Sequence, residues 1–92
     1  MKIIWSRQAQ RDKQTIWSFL SDRGVAYADR VELRIEARVE SLAQFAYLGG
    51  PIPGTNRRKL SIPDIQHVVI YRIDDTIIRI LRIRATAQDR GE

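Results

Sequence analysis

Hydrophobic positions along the chain follow two different periods. In the first half, apolar residues recur every three or four positions after Ser6 and again over 28–46, which is the spacing of amphipathic helices. Ser6 is a good N-cap residue, and Gly24 is a natural point for a helix to stop. The pattern predicts one helix over about 7–22 and a second that starts after Gly24 and ends at the glycine and proline residues of 49–51.

Segments typical of strands flank this helical part. Residues 2–5 are β-branched or aromatic after the first lysine, which favours a short first strand. Three longer segments typical of strands, 57–62, 66–73 and 77–84, are separated by short turns and predict an antiparallel meander. The glycine and proline residues of 49–56 predict that this segment continues neither helix nor sheet and connects the two halves.

The predicted elements follow the order β-α-α-β-β-β. Two amphipathic helices of this length can bury their apolar stripes against one face of a sheet. The sequence therefore predicts an α+β fold, in which a two-helix hairpin packs on one face of a mainly antiparallel twisted sheet. A chain of 92 residues is large enough for one core, so we expect a single domain over 1–92.

The last predicted strand, 77–84, alternates aliphatic residues with arginines. Side chains of a strand point alternately to its two faces, and the odd-numbered row is the better candidate for the core. That row contains Ile77, Leu81 and Ile83, together with Arg79 as an exception that a sheet edge or a partner would have to accommodate. Arg82 and Arg84 are then predicted to share the opposite face.

The charge of the chain narrows the range of partners. Sixteen Lys and Arg residues against eleven Asp and Glu residues give a net charge of +5, which suits an acidic protein, a nucleic acid or a nucleoprotein.

The absence of cysteine excludes disulfides and thiolate metal sites and leads us to expect a reducing, cytoplasmic setting. No apolar stretch approaches the roughly 20 residues needed to span a bilayer, so no membrane partner is expected. No metal or other cofactor is expected either.

Several short motifs, taken in order, resemble the RelE/ParE superfamily of toxins over nearly the whole chain. They are Ile-x-Trp-Ser at 3–6 with Ala9 and Asp12, Gly-Thr at 54–55 before Arg58-x-Leu60, Val-Ile-Tyr-Arg at 69–72, and Ile-Leu-Arg-Ile at 80–83 with Gln88-Asp89. The resemblance implies a toxin of a type II toxin-antitoxin module, of the kind associated with plasmid stabilisation and growth arrest. Its partner would be a cognate antitoxin that wraps and blocks it in a toxin-antitoxin hetero-oligomer.

The resemblance leaves two targets open. ParE-like members poison DNA gyrase without known cleavage chemistry, whereas RelE-like members cut messenger RNA on the ribosome. Cleavage requires a general base, a general acid and cations around the phosphate. The single histidine, His67, is predicted beside a turn, Arg84 stands where many members carry a histidine, and no tyrosine follows Tyr71. Arginine is a poor acid or base at neutral pH.

We therefore favour a ParE-like gyrase inhibitor that is not an enzyme, and no catalytic residue is assigned. A RelE-like endoribonuclease remains an alternative, with Lys59, Asp64, His67 and Asp89 as conceivable catalytic residues, and so does a homologue that binds antitoxin without being toxic. The residues predicted to contact target or antitoxin are basic side chains of the three meander strands, without Arg79, which the alternation assigns to the core row. They are Arg57, Arg58, Lys59, Arg72, Arg82 and Arg84.

Overall fold

The computed structural model describes residues 1–89 and contains two helices on one face of a five-stranded sheet. The strands are β1 (Lys2–Trp5), β2 (Gly50–Pro51), β3 (Arg57–Ile62), β4 (His67–Asp74) and β5 (Ile77–Ala85), and the helices are α1 (Arg7–Ser21) and α2 (Val25–Glu40). The strand order is β1-β5-β4-β3-β2, with β1 parallel to β5 and the remaining pairs antiparallel. The predicted α+β fold and the antiparallel meander are confirmed. No helix among residues 1–89 combines the length and apolar character that crossing a membrane requires.

Ser6 begins α1 and also joins it to the last strand. Its hydroxyl accepts a hydrogen bond from the backbone N–H of Ala9 at 3.0 Å and donates one to the carbonyl of Leu81 at 3.1 Å. The backbone N–H of Ser6 donates to the carbonyl of Ile80 at 2.9 Å. The predicted N-cap is therefore confirmed, and the point at which the chain passes from the sheet to the helix layer is set by β5.

The core lies between the helices and one face of the sheet. The apolar stripe of α2 is buried as its spacing predicts, and the alternate residues of the three long strands pack against it. The core residues of α2 are Ala28, Val31, Ile35 and Val39, and the core residues of the sheet are Leu60, Ile62, Val69, Tyr71, Ile78, Ile80 and Ile83.

The second helix is shorter than predicted. It ends at Glu40, and the chain continues through a 3-10 turn, Ser41–Ala43, although Leu42 and Ala46 remain buried. The Ser41 hydroxyl donates to the carbonyl of Arg38, which competes with the helical backbone pattern. The helical spacing of apolar residues in the sequence therefore extends beyond the end of the helix, which is why the prediction was too long.

The segment predicted to lie outside both helix and sheet contains a short edge strand. Gly50 and Pro51 form β2, which pairs with Lys59 and Arg58 of β3. Proline is tolerated here because β2 is the outermost strand, where its missing N–H breaks no ladder. The prediction that 49–56 contributes nothing to the sheet is therefore wrong.

A β-bulge changes the side-chain alternation of β5. Ile70 of β4 pairs with Arg82, whereas the next residue, Tyr71, pairs with Ile80, so Leu81 is an extra residue on β5. Ile80 before the bulge and Ile83 after it are both buried, at 0% and 3% exposure. The prediction that the odd row faces the core is correct for Ile83 but wrong for Ile77 and Leu81, which are only partly buried and lie outside the core cluster.

Tyr71 fixes the loop that follows the second helix. Its side chain is fully buried, and its hydroxyl donates to the carbonyl of Ala46 at 2.7 Å and accepts from the N–H of Gly49 at 2.9 Å. A Cβ on Gly49 would stand 2.7 Å from the carbonyl oxygen of Lys59 and 2.8 Å from the Tyr71 ring. The loop is therefore seated directly on β3 and β4.

We predict that Tyr71→Phe lowers the free energy of unfolding by about 1–3 kcal/mol, because it leaves the Ala46 carbonyl and the Gly49 N–H buried without a partner. Urea unfolding followed by tryptophan fluorescence measures the difference. Tyr47→Phe is the matched control, since Tyr47 is 74% exposed and its variant should differ from wild type by less than about 0.5 kcal/mol. Equal midpoints for the two variants would contradict the assigned role of Tyr71.

Candidate partner-binding site

The face of the sheet opposite the helices is rich in basic side chains. In each long strand the residues that alternate with the core positions project from this face. Cross-strand pairing places Arg57 opposite Arg72 and Arg72 opposite Arg79, so three guanidinium groups from three strands lie in one row. We term this surface the cationic face, and its basic residues are Arg57, Lys59, Arg72, Arg79, Arg82 and Arg84.

Two apolar residues form the floor of the cationic face. Ile70 lies between Lys59 and Arg82 in the strand pairing, and Val68 lies next to Arg84. Both Val68 and Ile70 are only 3% exposed although they lie outside the core under the helices. Long basic side chains cover apolar surface with their methylene groups while their charged ends stay accessible. The face is therefore a packed layer whose outer surface carries positive charge.

Asp74 holds two of the arginines together. Its carboxylate accepts hydrogen bonds from Nε of Arg72 at 2.8 Å and from Nε of Arg79 at 3.0 Å. The hydrogen bond from Arg72 contributes most to holding the pKa of Asp74 below its ordinary value, and the same bond raises the pKa of Arg72. One carboxylate thus offsets the repulsion between two guanidinium groups on neighbouring strands.

Asp12 of α1 performs a similar role at the other end of β5. Its side chain is 10% exposed and accepts from Nε of Arg82 at 2.8 Å and from the backbone N–H of Ile83 at 2.9 Å. Burial raises the pKa of Asp12, but the hydrogen bonds from Arg82, Ile83 and Gln8 outweigh burial and leave it below its ordinary value. Asp12 therefore remains ionised and joins the helix layer to the edge of the sheet.

Lys59 is the fourth cation of this face with an acidic partner at close range. Its Nζ lies 2.7 Å from Oδ2 of Asp89, whose side chain is 3% exposed. Asp12, Asp74 and Asp89 are thus three carboxylates paired with a face that carries six cations. The cationic face of the described chain keeps an excess of positive charge after these ion pairs form.

Five of the six predicted contact residues lie together on the cationic face, and Arg58 does not. Arg58 pairs across the sheet with Tyr71, on the side that faces the helices. Its Nε donates to the carbonyl of Gly49 at 2.8 Å. Arg79 was not among the predicted residues, because uninterrupted alternation puts it in the same row as Ile83, and the bulge at Leu81 that separates their faces leaves no mark in the local sequence.

The residues considered for acid-base chemistry are dispersed. Asp64 is paired with Arg34 at 2.8 Å, and that hydrogen bond lowers the pKa of Asp64. His67 Nδ1 lies 2.7 Å from the carbonyl oxygen of Ile65, and His67 borders, together with Arg82 and Arg84, a groove of about 430 Å³ between α1 and the end of β5. Only Lys59 and Asp89 of the four meet, and they are bonded to each other. Within residues 1–89 no cluster of three or more histidine or acidic side chains is arranged to hold a metal ion.

Known proteins similar to this chain are toxins or share their fold. Residues 3–90 match the family described as ParE toxin of type II toxin-antitoxin system, parDE. Toxin RelE2 of Caulobacter vibrioides is 26% identical over 87 residues, which are 95% of this chain and 97% of that protein.

Two solved structures have a similar fold. The chromosomal ParDE toxin-antitoxin system from P. aeruginosa aligns with a TM-score of 0.85 at 26% identity, over 92% of this chain and 95% of the matched one. A conserved hypothetical protein of Helicobacter pylori aligns with a TM-score of 0.58 at 16% identity, over 95% and 96% of the two chains, and supports the fold alone.

We predict that Asp12→Asn lowers the free energy of unfolding near neutral pH by about 1.5–3 kcal/mol, the usual contribution of hydrogen bonds to a charged group. The pKa of Asp12 is lower in the folded state, so its stabilisation is complete above the unfolded value of about 3.9 and is lost as the pH falls through the folded value. Urea unfolding of both proteins between pH 7 and pH 3 measures this.

The difference between wild type and Asp12→Asn should therefore shrink below about pH 4. Asp22→Asn makes the same change of charge at an exposed position after α1 and serves as the control. A difference for Asp12→Asn that stays constant down to pH 3 would contradict an ionised, hydrogen-bonded carboxylate.

Proposed function

Because the chain belongs to the ParE toxin family of type II toxin-antitoxin systems, we propose that it inhibits DNA gyrase and that the cationic face contacts this target. The observation that carries the proposal is the composition of that face. Its six basic residues are accompanied by carboxylates that are themselves engaged in ion pairs. Such a surface is suited to binding an acidic or nucleoprotein partner and is poorly equipped to transfer protons.

The surroundings of the histidine and of Tyr71 support a binding role over RNA cleavage. His67 belongs to the side of β4 that faces the helices, and the Tyr71 hydroxyl is buried with Ala46 and Gly49 as partners. Arginine can stabilise negative charge but does not exchange protons at neutral pH. Of the four residues considered for acid-base chemistry, only Lys59 and Asp89 meet on the cationic face, where they are bonded to each other, and His67 lies in the groove that Arg82 and Arg84 also line.

Pre-ordered arginines favour tight binding. Asp74 holds Arg72 and Arg79, and Asp12 holds Arg82, so a partner meets guanidinium groups that have already lost part of their rotational freedom. Carboxylates or phosphates of the target would then form charge-assisted hydrogen bonds with groups already in place. The excess of cations over carboxylates supplies the attraction.

The cognate antitoxin is the partner that membership of this family implies, and we place part of its contact on the helices. Phe19 of α1 and Leu33 of α2 are 70% and 64% exposed, although both are large and apolar. Exposed apolar side chains of this size on a basic toxin are suited to an antitoxin segment that carries apolar and acidic residues. The antitoxin would cover the helices together with the cationic face.

A ribosome-dependent messenger RNA endoribonuclease is the second candidate, favoured by the similarity to Toxin RelE2. Both candidates use the cationic face, because phosphates and carboxylates pair with the same guanidinium groups. Primer extension on translating ribosomes tests it directly. Cuts at fixed codon positions that require this chain would replace the gyrase proposal.

We predict that the purified chain, in stoichiometric excess, abolishes supercoiling by gyrase and traps a cleavage complex. Gel electrophoresis of relaxed plasmid with gyrase and ATP measures both effects. Unchanged supercoiling with no trapped complex would refute the proposal. Growth arrest on induction, relieved by the antitoxin, distinguishes a toxin from a homologue that only binds antitoxin.

A double variant tests whether the cationic face makes the contact. Arg57→Ala with Arg84→Ala should raise the concentration needed for half-inhibition of gyrase by at least about tenfold, as loss of central arginine contacts does in other interfaces. Arg11→Ala with Arg23→Ala removes the same charge from exposed positions on the helical side and should leave inhibition nearly unchanged. Equal losses in both double variants would show that net charge alone matters.

Arg82 is left intact in this design because its ion pair with Asp12 holds β5 against α1. Circular dichroism of each variant checks that the fold is retained.

A further inference from the structure

A second group of polar and aromatic side chains lies at the end of the sheet where β2 meets β3. The ring of Tyr47 is 74% exposed, and the guanidinium of Arg58 lies 5.0 Å from its centroid. Arg58 is held there by the hydrogen bond that its Nε donates to the Gly49 carbonyl. A tethered cation thus lies over the ring of a residue that is otherwise largely open to solvent.

The space beside this ring is lined by groups of three different kinds. It has a volume of about 420 Å³, and Arg57, Asn56 and Asp75 border it together with Tyr47 and Arg58. Arg57 supplies a guanidinium fork, Asn56 an amide with both donors and an acceptor, and Asp75 a carboxylate. We term this set of five residues the Tyr47 pocket.

Asp75 is held in the pocket by the turn between β4 and β5. Its backbone has a φ of 58°, in the left-handed region that aspartate tolerates better than most residues. Its neighbour Asp74 is bonded to Arg72 and Arg79 on the cationic face. The two successive acidic residues therefore serve different surfaces, and only Asp75 borders the Tyr47 pocket.

We propose that the Tyr47 pocket binds a nucleotide of a single-stranded nucleic acid. The base stacks on the open surface of the Tyr47 ring, and the phosphate pairs with the guanidinium of Arg57. Asp75 and Asn56 accept hydrogen bonds from N–H groups on the edge of the base. Stacking tolerates any base, so sequence preference is weak and comes from these edge contacts.

An acidic peptide fits the same pocket less well. Its carboxylates would pair with Arg57 but would meet the like charge of Asp75, and they offer no flat surface for the exposed ring. A nucleotide engages the aromatic ring, the guanidinium of Arg57 and the acceptors of Asn56 and Asp75 at once, because it has a flat base, an anionic phosphate and N–H donors. Charge and shape therefore both favour a nucleic acid over an acidic protein segment.

Fluorescence anisotropy of a fluorescein-labelled single-stranded DNA of ten mixed bases, titrated with the full chain at low salt, tests the proposal. Tyr47→Ala should weaken binding by about tenfold, and Tyr47→Phe, which keeps the ring, should bind like wild type. Phe45→Ala removes a second exposed aromatic from the same loop and is the matched control, with binding expected within about twofold of wild type.

The charged residues are tested in the same titration. Arg57→Ala should weaken binding more than Arg30→Ala, which removes an equal charge beside Tyr27 on α2. Equal effects of these two variants, or binding that is unchanged in Tyr47→Ala, would overturn the proposal. A ten-residue glutamate peptide and an unlabelled oligonucleotide are also compared as competitors of the labelled DNA. Displacement by the peptide at the same concentration as by the oligonucleotide would overturn the proposal in favour of an acidic protein segment.

The titration contains neither gyrase nor ribosomes, so it stands apart from the target proposed above. Tyr47 lies outside the cationic face, so loss of oligonucleotide binding by Tyr47→Ala with full inhibition of gyrase by the same variant would support the pocket and show that inhibition does not need it. Retained oligonucleotide binding by a chain that leaves gyrase active would refute the gyrase proposal alone.

Discussion

The contact between α1 and the unpaired end of β5 determines how the two layers of this protein fit together. β1 has four residues and β5 has nine, so the last part of β5 has no neighbouring strand on that side. The first turns of α1 take its place: Ser6 binds the carbonyl of Leu81, and Asp12 binds the N–H of Ile83. Side chains of a helix thus complete the edge of a sheet, which otherwise would present unsatisfied backbone groups.

Asp12 links this edge to the charged surface. By accepting from both Arg82 and the backbone of Ile83, one carboxylate sets the position of a strand and of a cation. Asp74 and Asp89 do the corresponding work elsewhere on the cationic face. The cationic face therefore concentrates positive charge while ion pairs reduce the repulsion between its basic side chains. The carboxylates that order these side chains come from α1, from the end of β4 and from the C-terminal segment.

Most of the fold could be predicted because its signals are local. Ser6 and Gly24 mark helix ends through their own chemistry, and the short turns between the strand-like segments of 57–84 favour antiparallel neighbours. The end of α2 was misplaced because the residues after Glu40 are buried by contacts distant in the chain, including the bond from Tyr71 to Ala46.

The candidate site was less predictable, because it too depends on contacts between residues distant in the chain. Arginines in the meander strands predict a basic surface. The face of the sheet on which each arginine of β5 lies depends on the bulge at Leu81, and only the pairing of β4 with β5 reveals this bulge. Arg58 adjoins Arg57 in sequence and lies on the other face of β3. The Tyr47 pocket joins a loop, the start of β3 and a turn, and no spacing within one segment could indicate it.

The bulge has one more consequence, for the length of the chain. Leu81 shifts the phase of β5 by one position, so that Ile83 follows Ile80 into the core and the arginines on either side stay outside. A chain that lacked this residue would pair with β4 without a bulge and would still direct Ile83 inward and Arg82 and Arg84 outward, whereas the intact stretch paired without a bulge would turn both arginines toward the helices. The bulge therefore absorbs one residue of chain length, and it lets a strand that is one residue too long for its partner keep its aliphatic side chains inside and its arginines outside.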